Sequence, residues 1–219
     1  SFIIQSHTLN SVHFLNKTFY NTLMISFIGA IIIIIVSTFL SIISFYRLNK
    51  SGKFLASLSA SGYAFPGTIL AIGVLHFLAQ LEIMFQSLWS VLIAQPYEAV
   101  ISGSFLVLII AYLARFNAVG YGSAMAGLEQ IPRDLISASQ ILGKRFGSSV
   151  GAVLLPNLWP AILAGGLLLF VDIMKELPLT LLLRPMDFET FATITYQLAK
   201  SEMLEQAAYP ALCIVVSGL

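Results

Sequence analysis

The chain has 219 residues, 58% of them hydrophobic and 10% charged, with a net charge of +1 and a mean hydropathy of +0.91. Soluble domains carry about a quarter charged residues, so this composition excludes an ordinary soluble protein and predicts an integral membrane one. The near-neutral charge argues for no nucleic acid, and a single cysteine, Cys213, excludes a disulfide framework or a cysteine metal site.

Residues 1–20 mix polar and apolar side chains and include His7, His13 and Lys17. With no carboxylate or third ligand nearby, they are expected to form a loop end or an interfacial segment. From Asn21 to Tyr46 no charge occurs, and the run is long enough to cross about 30 Å of hydrocarbon at about 1.5 Å per residue. This is the first span. Arg47, Lys50 and Lys53 follow with no acid among them, which places that loop in the cytoplasm.

Phe54 to Leu81 is again uncharged and must accommodate Phe65-Pro66-Gly67-Thr68 in its first half. The second span is therefore expected to be kinked or broken at Pro66 and Gly67, either as part of a transport path, as in carriers with discontinuous helices, or for packing alone. His76, beyond the break, is read as packed or hydrogen-bonded. Glu82 to Glu98 holds an apolar piece too short to span, with Trp89 and Tyr97; aromatic residues of this kind favour the interface, so it is expected along the outer surface. Ala99 to Leu128 forms the third span, interrupted by Arg115. Counted from Ser102, Arg115 lies about 20 Å in. It either snorkels to the cytoplasmic interface or binds an acid within the bundle, for which Asp172 is nearer in depth than Glu176.

The stretch from Glu129 to Ile162 is the longest between strongly apolar runs that carries a pattern of its own. Pro132 opens a helix where a missing N–H costs nothing, and Gly143 closes it in a left-handed cap. Leu135, Ala138 and Leu142 share one face. A second short apolar segment follows Lys144 and Arg145 and is expected to stop at Pro156 and Pro160. Two short helices meeting at a glycine make a docking surface.

A fourth span is expected to begin near Pro160, with Ala164-Gly165-Gly166 permitting close helix contact. A full span must then take in Asp172, Lys175 and Glu176 before Leu177–Leu183. Asp172 and Glu176 share a face, and Lys175 lies close enough to pair with Asp172. Ionisable residues at such depth either serve the path or neutralise one another and orient the helix end at Pro178. Arg184 to Pro210 reads as a second outer stretch. The apolar run from Gln206 is shorter than the about 20 residues a span needs, so it predicts a fifth span that continues in a longer chain. Arg47, Lys50, Lys53, Arg133, Lys144 and Arg145 fall in the proposed inner loops, against Lys17, Arg184 and Lys200 outside, which puts the N-terminus outside.

No G-x-x-x-x-G-K-[ST] phosphate loop, H-E-x-x-H or G-x-S-x-G occurs, so ATP hydrolysis is not expected of this chain. The pattern suggests a transport channel moved by another subunit.

Residues 131–162 resemble the cytoplasmic loop of binding-protein-dependent ABC importer permeases, whose signature is Glu-Ala-Ala, three residues, Gly, then about nine residues to Ile-x-Leu-Pro. The corresponding positions read Ser137-Ala138-Ser139, Gln140-Ile141-Leu142, Gly143, and Val153-Leu154-Leu155-Pro156. Gly62–Thr68 and Met174–Pro178 running on to Leu183-Arg184-Pro185 are similar to the C-terminal half of ferric-iron importer permeases; thiamine and polyamine permeases share much of this. The resemblance implies an all-α membrane domain of the type I importer fold over residues 1–219, with about five spans and a coupling loop at 129–160. It implies a bacterial inner-membrane location and three protein partners: a cytoplasmic ATPase carrying ATP and magnesium, a second permease half and an external solute-binding protein. No cofactor is expected on the chain itself, and no nucleic acid.

The resemblance assigns ATPase coupling to Arg133, Asp134, Leu135, Ser137, Ala138, Ser139, Leu142, Gly143, Lys144 and Arg145. The departure is Ser137, where the family usually has glutamate, with Ser139 replacing an alanine. The residues proposed for the path are Arg115, Asp172, Lys175, Glu176, Pro66 and Gly67. An ion-coupled carrier, with Asp172 and Glu176 relaying protons, is the alternative of another class.

Overall fold

Apolar residues in long uncharged runs have no water to satisfy their backbone inside a bilayer, and helices are the local solution. The computed structural model describes residues 2–46, 50–59, 61–93, 104–132 and 134–218; of these, the side chains of 2–14, 51, 53, 55, 59, 87–93 and 217 are not described. Arg47, Tyr97, Glu98 and Arg133 lie outside the described residues, as do the side chains of His7, His13, Lys53 and Trp89. Among the described residues there is no strand, and four helical runs are long and apolar enough to cross a membrane.

The first helix, α1 (Phe2–Tyr46), is one continuous element of 45 residues, so the loop expected over residues 1–20 is helical from Phe2. Part of the polar side chains of α1 form an inward face: Thr18, within the stretch expected as a loop end, and Asn21, Thr22 and Ser26, within the expected span, are buried. The Thr22 hydroxyl donates to the Thr18 carbonyl at 2.8 Å, which keeps it satisfied within the helix.

A short helix α2 (Lys50–Ser59) and a 3₁₀ turn (Ser61–Ala64) precede α3 (Gly67–Ile93). Proline lacks the N–H a helix interior needs and disfavours helical backbone before it. The break at Phe65-Pro66 therefore starts the span instead of interrupting it, with the Leu70 N–H donating to the Pro66 carbonyl at 3.1 Å. The helix α3 also runs through Glu82 to Ile93, so a separate surface segment does not begin at Glu82. Glu82 lies about 22 Å along α3, beyond most of the apolar stretch.

After α4 (Phe105–Glu129) come α5 (Asp134–Ile141), α6 (Phe146–Ser149), a π turn (Val150–Leu154) and α7 (Leu155–Met174). The expected stop at Pro156 and Pro160 does not occur, because the run from Phe146 to Met174 is helical throughout. In the π turn the Leu155 N–H reaches back to the Val150 carbonyl, and the Asn157 side-chain amide donates to the Val153 carbonyl at 2.7 Å. In a regular ladder Pro156 and Pro160 would withdraw the N–H donors of the Ala152 and Pro156 carbonyls, and the π turn directly before Pro156 is where the winding departs from that ladder. Last come α8 (Pro178–Leu183), α9 (Phe191–Lys200) and α10 (Leu204–Ser217). At 14 residues α10 is the short apolar helix expected from Gln206, and four helical runs reach span length among the described residues.

The chain divides into two compact units. One comprises Ser1–Gly29, Phe65–Tyr112 and Val171–Leu219; the other comprises Ala30–Ala64 and Leu113–Phe170. In the first, α10 packs on α9 and α3 on α8. A capping box of Thr190 and Thr193 starts α9, and the Phe191 N–H donates to the Thr22 hydroxyl at 2.9 Å. In the second, α1 and α4 meet along a polar seam. Ser37 donates to Asn117 Oδ1 at 2.8 Å, and Ser44 meets the Tyr121 hydroxyl at 3.0 Å. Small hydroxyl residues of this kind join helices where burial of apolar area cannot.

Candidate functional site

The loop between α4 and α7 is built as a hairpin on a glycine. Gly143 has φ +89°, a conformation that costs an L-residue roughly 1–2 kcal/mol. The Gly143 N–H donates to the Gln140 carbonyl at 2.9 Å and the Lys144 N–H to the Ser139 carbonyl at 3.2 Å. That pair of bonds is a complete Schellman cap, which satisfies the last carbonyls of α5 and turns the chain. At the other end, the Leu135 N–H donates to the Pro132 carbonyl at 3.2 Å, so Pro132 lies just before the helix, which begins at Asp134. A carboxylate in the first turn favours the helix dipole.

The two faces of α5 have opposite environments. Ile136 and Ser139 are buried. Leu135 is 38% exposed, Ile141 86% and Leu142 85%, and Ser137 and Ala138 are exposed beside them, as are Lys144 and Arg145. Beneath the hairpin, Ile136 joins an apolar cluster with Ile42 of α1, Leu128 of α4, Ile131, Leu154 and Leu158 of α7. One helix thus shows an apolar strip outward while its inner side grips three others. The Ser139 and Ser149 hydroxyls meet at 2.9 Å across the hairpin. Ile136, Ile141 and Ser149 were not singled out from the sequence; Ile141 is legible from its place beside Leu142, whereas Ser149 lies across the glycine turn, where no periodicity points to it.

The polar residues near the other end of α7 are organised locally. Lys175 and Asp172 form an ion pair at 2.8 Å, with the lysine side chain 58% exposed and the aspartate 17%. Glu176 is buried. Its carboxylate accepts the Leu179 N–H at 3.1 Å, and its carbonyl accepts the Thr180 hydroxyl at 2.7 Å. Thr180 in turn meets the Tyr112 hydroxyl at 2.6 Å. Glu176 therefore caps α8, whose first residue is Pro178.

Arg115 belongs to the unit containing the hairpin, and its guanidinium carbon lies 5.8 Å from the centre of the Tyr63 ring and 5.7 Å from that of Phe116. Cation–π distances of this size are an environment that neither the snorkelling nor the acid-binding expectation included. Pro66 is exposed and Gly67 buried at the start of α3. Among the described residues no group of three or more His, Cys, Asp or Glu is positioned to hold a metal ion.

No family model matches the chain. Over 158 residues, 72% of its length, it is 25% identical to the Fe(3+)-transport system permease protein FbpB 2 of Haemophilus influenzae. The match covers 28% of that relative, so the chain spans little more than a quarter of its length. The chain is thus similar over most of its length to part of a transport permease, and it has four helical runs of span length with no strand among the described residues, an all-helical, multi-pass architecture.

Proposed function

We propose that the chain is the permease component of an ATP-driven importer, moving ferric iron delivered by an external solute-binding protein across a bacterial inner membrane. One observation carries the reading: α5 holds Leu135, Ile141 and Leu142 outward while its opposite face is anchored in a core shared with α1, α4 and α7. A helix built this way receives a push on one side and delivers it on the other. The outer strip would seat in a groove of a separate ATPase subunit, with Asp134, Lys144 and Arg145, and Arg133 from the sequence, as its charged rim. ATP and magnesium would bind on that subunit and a second permease half would complete the channel. Closure of the ATPase shifts the permease equilibrium only through contacts that differ between its two states. The named transport of the relative supports iron as the substrate. Lys175, accessible beside Asp172, is the charge assigned to the path; Asp172, Glu176, Arg115, Pro66 and Gly67 are assigned to it from the sequence alone.

The test is association with the ATPase. Ile141→Glu or Leu142→Glu is expected to leave the permease inserted and to weaken ATPase binding about tenfold or more, the order expected for losing one buried leucine-sized contact. A cysteine at position 137 should crosslink to the ATPase, and absence of any crosslink in every nucleotide state would sink the reading.

A further inference from the structure

We infer that the Ser139–Ser149 hydroxyl pair is a clamp that makes α5 and α6 move as one body, so that displacement of the docking helix reaches α7 instead of dissipating in the Gly143 turn. The inference rests on the functional reading above and adds to it the positioning residues that transmit the movement.

Both serines are buried, Ser149 completely. Ser149 also lies 3.2 Å from the Arg145 carbonyl, to which its hydroxyl donates. With that proton committed, Ser139 is the donor of the 2.9 Å bond and Ser149 its acceptor. Residues 142–145, which join α5 to α6, are all exposed. The apolar cluster beneath does span both halves, through Ile136 and Phe146. Apolar packing is non-directional, however, and permits sliding. A hydrogen bond fixes distance and angle and supplies what the cluster lacks. Its position also matters: Ser149 directly precedes the π turn Val150–Leu154, so the clamp grips the chain where it enters α7. Ser139, standing where alanine is usual in the family signature, gains a hydroxyl that finds a buried partner.

The experiment uses the complete transporter, permease with its ATPase, in vesicles supplied with ferric-loaded binding protein. Iron entering the lumen and ATP hydrolysed are measured together. Ser139→Ala and Ser149→Ala should each lower the iron moved per ATP about fivefold, the order set by one lost buried hydrogen bond, while for Ser149→Ala, outside the coupling residues, ATPase binding stays within about twofold. The double variant should be no worse than either single one, because the pair acts as a unit. A second variant, Ser139→Cys with Ser149→Cys in a Cys213→Ser background, should couple poorly when reduced. It should recover when copper–phenanthroline oxidises the two thiols to a disulfide, and fail again on reduction. An unchanged iron-to-ATP ratio in the single variants of a working transporter overturns the clamp and leaves the functional reading standing. A ratio that falls only in step with ATPase binding assigns the serines to docking and also overturns it. A wild-type complex that hydrolyses ATP without moving iron overturns the functional reading, and the clamp with it.

Discussion

Gly62 stands where the 3₁₀ turn of Ser61–Ala64 crosses α4 so closely that a Cβ would lie 1.8 Å from the Ala114 carbonyl oxygen and 3.4 Å from the Arg115 Cα. The obstacle is backbone of a packed helix, which cannot swing aside as a side-chain tip can. Gly62→Ala is therefore expected to cost about 2 kcal/mol or more, the upper range of overpacking, read as a fall in thermal unfolding temperature. Gly73→Ala meets nothing within 4 Å in α3 and should be neutral or slightly stabilising. The turn beside Arg115 also shows why some single-residue environments are not legible in sequence. Tyr63 reaches Arg115 from 52 positions away, and no spacing rule connects them. Glu189 is the opposite case, with partners close in sequence: it pairs with Arg184 and accepts the Thr193 hydroxyl at 2.7 Å and the Gln197 amide at 3.2 Å, both on α9. Glu189→Gln should cost about 2 kcal/mol, visible as faster hydrogen exchange in α9.

At the scale of elements, what sequence made plain was local backbone constraint. Pro66 ends one helical path and begins another, and Gly143 adopts the left-handed cap its position predicts. Replacing Gly143 with alanine meets no steric obstacle, since nothing lies within 4 Å, so its whole cost is the φ of +89°. Gly143→Ala is expected to lose about 1 kcal/mol and Gly143→Asn less, measured by denaturant unfolding of the detergent-solubilised chain. What sequence concealed was continuity. Glu82 and the mixed residues 1–20 suggested boundaries inside α3 and α1, because charge and polarity are read one residue at a time while burial depends on neighbours distant in sequence. Pro156 and Pro160 suggested a stop because a regular helix cannot place them cheaply. The chain instead passes through a π turn directly before Pro156, a local departure from regular winding that is not visible before the helix is built.

For the whole molecule, the polar residues at the end of α7 bear on the ion-coupled alternative to the proposed function. Asp172 is already held by Lys175, and the Glu176 carboxylate is engaged in capping α8. Neither carboxylate has the idle, unshared environment that a proton relay uses. Uptake is thus expected to persist when the proton gradient is dissipated with ATP intact, and arrest under that condition would favour the ion-coupled alternative. The π turn carries a further consequence for the molecule's history. A π turn accommodates one residue more than the α-helix it interrupts. Each residue of an α-helix advances the chain by about 100°. Loss of a single residue from Val150–Leu154, such as Gly151, would restore regular winding with the hairpin still in phase, because the turn itself absorbs the extra residue. A deletion here should therefore be tolerated better than one in the regular part of α7, which would turn the hairpin by about 100° and point Leu142 away from its proposed docking groove.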